Sequence, residues 1–287
     1  MSLCNLFSVT PLRHNPYHLL HATPMIPFFQ KLFGNQDNRN HKEQKCNAPQ
    51  VRRLRMEPLE CRELLAVTLA DFNTIKANYA ALNLTDFTDY QIAEVGGSTD
   101  FEYADGQCIM NFSEGSLRNA ISWGGDKETL VVVRTTDTQN TMTIESGELT
   151  YYNSIGVTVV SFGTVPLTID ANHQSRVFNI GEHSTVALAG LTITNGRVSR
   201  TYDAYGGGIY NDGTLALINC TVSGNSVTAT YSDYARGGGI YNGGTLTVTN
   251  SIISGNLATG DGGGIANFGK SYSSVLTLCN TIIAENS

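Results

Sequence analysis

The sequence predicts an all-β fold built as a three-sided parallel β-helix, a solenoid of about thirty residues per coil. Three observations carry that expectation. Gly206-Gly207-Gly208-Ile209-Tyr210-Asn211 returns as Gly237-Gly238-Gly239-Ile240-Tyr241-Asn242 and again as Gly262-Gly263-Gly264-Ile265-Ala266-Asn267. Each copy runs into a short apolar strand, Leu215-Ala216-Leu217, Leu246-Thr247-Val248 and Leu276-Thr277-Leu278. A second strand closed by a turn then follows, as in Thr221-Val222-Ser223-Gly224-Asn225 and Ile252-Ile253-Ser254-Gly255-Asn256. From Leu188 to Leu217, Val248 and Leu278 the steps are 29, 31 and 30. Three short strands in that period suit one coil turning three corners, whereas leucine-rich repeats need helices and propeller blades need four strands.

Composition divides the chain. Through Glu63 there are nine Lys/Arg against five Asp/Glu, a balance of +4; the totals of 18 and 25 leave nine against twenty afterwards, a balance of -11. Six of seven prolines lie at or before Pro58, and 28 of 29 glycines at Gly96 or later. The expected organisation is therefore a disordered leader and export segment over residues 1–66, a bridge over 67–112 and the solenoid over 113–287. The acidic body offers no basic stripe for phosphates, which argues against a nucleic-acid partner. Uninterrupted apolar runs are only a handful of residues, too short for a transmembrane segment. The six cysteines show no CxxC and no metal-ligand spacing, so they read as separate small hydrophobes.

The leader lacks the 7–15-residue apolar core of a secretory signal, because Asn5, Pro11, Arg13, His14, Asn15 and Pro16 interrupt it. Met25 opens a second candidate start. In the bridge, residues 71–82 place Phe72, Ile75, Tyr79 and Leu82 on one helical face with Asp71 as N-cap. A second helix is expected over 116–121, capped by Ser116, with Leu117, Ala120 and Ile121 as its apolar stripe; it would cover the N-terminal end of the solenoid. Residues 83–112, acidic and turn-rich, resist placement. From about Leu130 a period of two predicts strands at Val131/Val133, Val157/Val159, Leu167/Ile169, Val186/Leu188 and Leu191/Ile193.

Within the repeats, stacked equivalents should form ladders: Leu215, Leu246 and Leu276 pointing inward, and Asn219, Asn250 and Asn280 at a corner. The last strand, Ile282-Ile283-Ala284, has no helix or charged strand after it. The expectation is a coil left incomplete and uncapped at the C-terminal end, prone to end-to-end self-association.

Two segments carry a resemblance. Arg52-Arg53-Leu54-Arg55-Met56-Glu57-Pro58-Leu59-Glu60-Cys61-Arg62-Glu63-Leu64-Leu65-Ala66 resembles the N-terminal sorting segment of many planctomycete surface proteins, a basic run followed by EPLExRxLLA. It implies export to the cell surface, the outer membrane or beyond. The GGGIYN…TLxLxN…SGN unit, with Gly115-Ser116-Leu117-Arg118-Asn119-Ala120-Ile121 upstream, resembles bacterial right-handed β-helix surface proteins related to the polymorphic outer membrane proteins, whose cap often reads CSLREAI. Gly115 stands where that cap often has cysteine, and GGGI stands where the chlamydial adhesins have GGAI.

Catalytic motifs are missing. Only His173 and His183 fall in the body, and no GxSxG, HExxH, phosphate-binding loop or dinucleotide fingerprint occurs. Parallel β-helices host polysaccharide lyases and glycosidases that use carboxylates, sometimes calcium, and an Arg or Lys base. The candidates for that chemistry are Asp203, Asp212, Asp233 and Asp261 with Arg197, Arg200 and Arg236, and no motif indicates calcium or another cofactor. One constellation stands out. The loop before each GGG is expanded twice, as Thr201-Tyr202-Asp203-Ala204-Tyr205 and Thr230-Tyr231-Ser232-Asp233-Tyr234, so that Tyr202/Tyr231 and Tyr205/Tyr234 are each 29 apart. Stacked on neighbouring coils, these tyrosines and aspartates would line one edge, with aromatic faces and carboxylates suited to sugar rings. The reading is an exported, non-enzymatic, adhesive or glycan-binding surface protein whose partner is a polysaccharide or cell-surface glycan; the alternative is a carbohydrate-active β-helix enzyme, a polysaccharide lyase or glycosidase.

Overall fold

The computed structural model describes residues 67–287 apart from 98–101, 105–106, 124–126, 153, 155, 232–233 and 270–273. The sorting segment and Met25 lie outside the described residues, which themselves belong to one compact unit. The chain forms a parallel β-solenoid with three main faces. Among the described residues, face A is a nine-stranded sheet. It runs from Glu102–Ala104 through Gln107–Met110, Tyr90–Val95, Glu128–Thr135, Val157–Gly163, Thr185–Ala189, Thr214–Ile218 and Thr245–Thr249 to Val275–Cys279. Face B stacks six strands from Thr141–Thr143 to Ile282–Ala284, and face C stacks five from Leu149–Tyr151 to Ile265–Asn267. All pairings are parallel except Glu102–Ala104 against Gln107–Met110. The stretch read as a bridge thus supplies three strands of the largest sheet.

The repeat register is as the sequence implies. Leu215, Leu246 and Leu276 are direct partners, and so are Ile209, Ile240 and Ile265. One continuous interior core results, holding Val159, Leu188, Leu217, Ile240, Leu246, Val248 and Ile253 at 1% exposure or less. Strict alternation fails along face A. Leu130, Val131, Val132 and Val133 are all fully buried, because face A is covered on its outside as well.

The outer cover is helix α1, Leu69–Asn78, whose Phe72 and Ile75 pack with Ile92, Leu130, Val132, Val160, Ala189 and Ile218. Tyr79 anchors its end by donating to the Ser161 carbonyl at 2.8 Å. Its cap is Thr68, not Asp71. Asp71 is the reciprocal member of a capping box with Thr68, and Asn83 in the left-handed region follows the final 3-10 turn, Ala80–Leu82. Helix α2, Glu114–Ser122, is capped by Ser113, whose hydroxyl accepts from the Ser116 amide at 3.1 Å. Both expected caps lie three residues late, on the residue whose amide donates to the true cap. The apolar stripe was read correctly: Leu117, Ala120 and Ile121 enter the interior core.

Asparagines hold the corners. Asn219, Asn250 and Asn280 adopt positive φ between faces A and B, and Asn280 Nδ2 donates to Asn250 Oδ1 at 2.8 Å. Two further ladders, not singled out in the sequence, are more deeply buried. Asn225 and Asn256 are each 1% exposed, and each amide Nδ2 donates to the Oδ1 of the next asparagine in the series Asn225, Asn256, Asn286 at 2.9 Å. Asn211, Asn242 and Asn267 form the equivalent chain at the edge of face C.

Arg134 ties the outer cover to the sheet. It bonds to buried Glu94 and, at 3.0 Å, to Asp71, while stacking over Phe162. Burial raises the Glu94 carboxyl above its ordinary range although Arg134 pulls it down, and its Oε2 has no partner among the described residues. Burial also works against Asp71, but the Thr68 amide and Arg134 outweigh it and hold that carboxyl low. A carboxyl with a raised pKa binds its proton more tightly in the folded state, so stability falls as pH rises from about 4.5 through the raised value. Asp71 acts in the opposite sense at lower pH, losing its contribution as pH falls through its depressed pKa. Glu94→Gln is therefore expected to flatten the decline in urea midpoint as pH rises above about 4.5. An unchanged decline would assign it to another group.

The interior ends differently at its two limits. At the N-terminal end α2 closes the core. In the last coil the inward row surfaces, with Leu278 and Ile283 each 45% exposed where their partners Val248 and Ile253 are fully buried. No helix among the described residues is long and apolar enough to cross a membrane.

Candidate functional site

A lateral fin projects between faces B and C. Its two sides are the stacked strands Arg197–Arg200, Ser226–Ala229 and Leu257–Ala258, and the stacked pair Ala204–Tyr205 and Ala235–Arg236. Val198, Ala204, Val227, Ala235 and Ala258 fill it with a small core of its own. The expanded loops form its tip.

On the first side the register is the expected one. Arg200 pairs with Ala229, the Tyr231 amide donates to the Thr201 carbonyl at 3.0 Å, and the rings of Tyr202 and Tyr231 stand 6.5 Å apart. Both are well exposed, Tyr202 at 66% and Tyr231 at 75%. On the second side the expectation fails. Ala204 pairs with Ala235 and Tyr205 with Arg236, an offset of 31 and not 29. The fin's core accepts only small side chains there, so the alanines set the register and the tyrosine spacing does not. Tyr205 consequently leaves the edge. It lies half-buried against Tyr241, rings 4.8 Å apart; burial chiefly, with a hydrogen bond to Asp203, pushes its hydroxyl pKa up. Tyr234 stays on the surface, 51% exposed. Asp233 lies outside the described residues.

The tip is continuous with the candidates Arg236 and Asp261 and, through them, with Phe268, Tyr241, Tyr210 and Arg176, which are not among the candidates. The Arg236 guanidinium is held between two rings, 4.7 Å from the centroid of Tyr234 and 4.5 Å from that of Phe268, and its Nε reaches Asp261 at 3.1 Å. Below it, Tyr241 stacks on Tyr210 with centroids 5.2 Å apart and planes 8° from parallel. Arg176 lies 5.0 Å over Tyr210, and its Nε is 3.0 Å from Glu148 Oε2, an ion pair poorly aligned for a hydrogen bond. A strip of aromatic and guanidinium groups thus follows the solenoid axis along face C. Tyr210 and Tyr241 were legible as one outward column of the GGGIYN repeat. Phe268 was not, since its copy reads IANF and only the fold places it beside Arg236.

The candidate carboxylates disperse. Asp203 engages Tyr205, Asp212 accepts from the Tyr210 hydroxyl at 2.7 Å, and Asp261 pairs with Arg236. Arg197 and Arg200 lie exposed on the opposite strand of the fin. No three His, Cys, Asp or Glu come together to hold a metal ion among the described residues. What the arrangement presents is a set of ring faces on stacked strands with polar groups beside them. The chain matches no family model, no curated protein and no solved structure.

Proposed function

We propose that this is an exported surface protein in which the solenoid is a stiff support and the fin is a glycan-binding edge. The observation that supports it most is the tip, where Tyr202, Tyr231 and Tyr234 each stay at least half exposed on loops anchored by stacked strands. Large rings left in water on a rigid base present apolar faces to the C–H surface of sugars at little entropic cost. Export rests on the segment Arg52–Ala66 and its resemblance to a surface sorting signal. A catalytic reading has less behind it, because each placed carboxylate already has a different partner.

The test uses the full chain and a panel of insoluble polysaccharides. Wild-type protein is expected to be depleted from solution by at least one of them without releasing new reducing ends or unsaturated products. Tyr202→Ala combined with Tyr231→Ala should weaken that binding about tenfold or more, equivalent to ~1.4 kcal/mol, with an unchanged circular dichroism spectrum. Depletion unaffected by the double variant overturns the assignment of the edge, and product release would make the protein an enzyme. A tagged full-length chain found exclusively in the cytoplasm overturns export.

A further inference from the structure

The geometry points to an uncharged, extended β-linked polysaccharide, lying parallel to the solenoid axis, as the ligand class of the fin. This rests on the glycan-binding reading above and adds charge, linkage and direction to it. Charge comes first. Among the cations around the fin, Arg236 is already bonded to Asp261, and Arg197 and Arg200 are exposed on the strand that leads to Tyr202. The other arginine of the strip, Arg176, is 8% exposed and paired with Glu148. The remainder of the body is acidic. A polyanion would therefore find the guanidiniums of the ring strip already engaged and would approach through the repulsive field of the acidic body.

Direction follows from the stacking. Tyr202 and Tyr231 occupy equivalent places on consecutive coils, and consecutive parallel strands advance by about 4.8 Å along the axis. An extended β-linked pyranose chain advances by a similar step per ring, so successive sugars can meet successive tyrosines. A helically coiled α-linked chain turns its ring faces away from a straight row. Tyr234 and Phe268, exposed on either side of Arg236, continue the apolar surface toward the C-terminal coils. The planes of Tyr202 and Tyr231 are tilted by 49°, so the two rings do not stack face to face on each other.

The experiment is a depletion assay of the full chain against cellulose and chitin as neutral β-linked probes, amylose resin as the α-linked probe, and immobilised alginate and polygalacturonate as polyanions. Each is run at low salt and at about 0.5 M salt, where surface charge is screened within a few ångströms. The expected result is binding to a neutral β-linked probe, unchanged by salt and lost about tenfold or more in Tyr202→Ala/Tyr231→Ala. Tyr202→Phe/Tyr231→Phe should retain it within about twofold, because the ring face and not the hydroxyl makes the contact. Salt-sensitive binding to the polyanions alone, or equal binding to amylose, overturns this inference while the glycan-binding reading survives. Binding to none of the five overturns both.

Discussion

Replacing Gly238 with alanine is expected to prevent formation of the central coils. Gly207, Gly238 and Gly263 form a column at the base of the fin, where each backbone lies directly against the next coil. A Cβ at 238 would sit within 3.0 Å of the carbonyl oxygens of both Leu257 and Gly263, and one at 207 would meet those of Ser226 and Gly238. These obstacles are backbone atoms already committed to inter-coil hydrogen bonds, so no rotamer change relieves them. Relief requires spreading two coils whose spacing is set by every other strand pair. The expected cost is at least about 3 kcal/mol, a fall in melting temperature of roughly 6–12 °C or outright failure to fold. Gly115→Ala is the matched control. It lies in α2 with its nearest new neighbour at 4.0 Å, so alanine should be neutral or stabilise by up to about 1 kcal/mol. A Gly238→Ala protein melting within about 2 °C of wild type would show that the coils are not packed this closely.

The second large effect is expected at Asn256. Its Oδ1 accepts from the Asn225 amide at 3.0 Å and from Asn225 Nδ2 at 2.9 Å, while its own Nδ2 donates to the Val222 carbonyl and to Asn286 Oδ1, both at 2.9 Å. Leucine is close in size but removes the acceptor of the buried Asn225 amide and the side-chain donor to the Val222 carbonyl and to Asn286. At roughly 1–3 kcal/mol for each orphaned group, Asn256→Leu should destabilise by about 3–5 kcal/mol. Asn256→Asp sharpens the test, since it keeps an acceptor for Asn225 but turns a donor into a negative charge facing Val222. It should therefore be destabilised near neutrality and recover at acid pH. Asn250, exposed at its corner, should cost only about 1 kcal/mol on conversion to leucine, mainly from its left-handed backbone. Equal losses at 250 and 256 would mean that corner conformation matters and the buried ladder does not. Urea unfolding of the three variants decides between them.

The fold was legible because its repeats state the same instruction several times. One glycine-rich triplet says little, but three at matching offsets from apolar pairs identify a stack. What the sequence reading missed occurs once. The strands Tyr90–Val95 and Gln107–Met110 precede the repeats and have no copy to be compared with. The outer cover of face A is a contact between elements far apart in the chain, and its sign in the sequence, the unbroken run Leu130-Val131-Val132-Val133, fits a strand or a buried helix segment equally. The candidate site was half legible. Equal spacing of 29 linked Tyr202 to Tyr231 correctly, but the same spacing misplaced Tyr205 and Tyr234, because a register is chosen by what must be buried. On that side of the fin the buried residues are the alanines Ala204 and Ala235, which attract no notice in a sequence.

The two-residue difference between the sides of the fin also bears on how such a protein can change over generations. The later loop is longer by two residues, yet Ile240 still sits under Ile209 and Val227 under Val198. The insertion has been absorbed at the tip and not passed on to the core. Selection acting there can lengthen, shorten or recolour the loops coil by coil without touching the ladders that keep the spine together. The molecule thus separates into an inherited frame and an edge open to trial, so its close descendants should diverge first and furthest between residues 201–203 and 230–234.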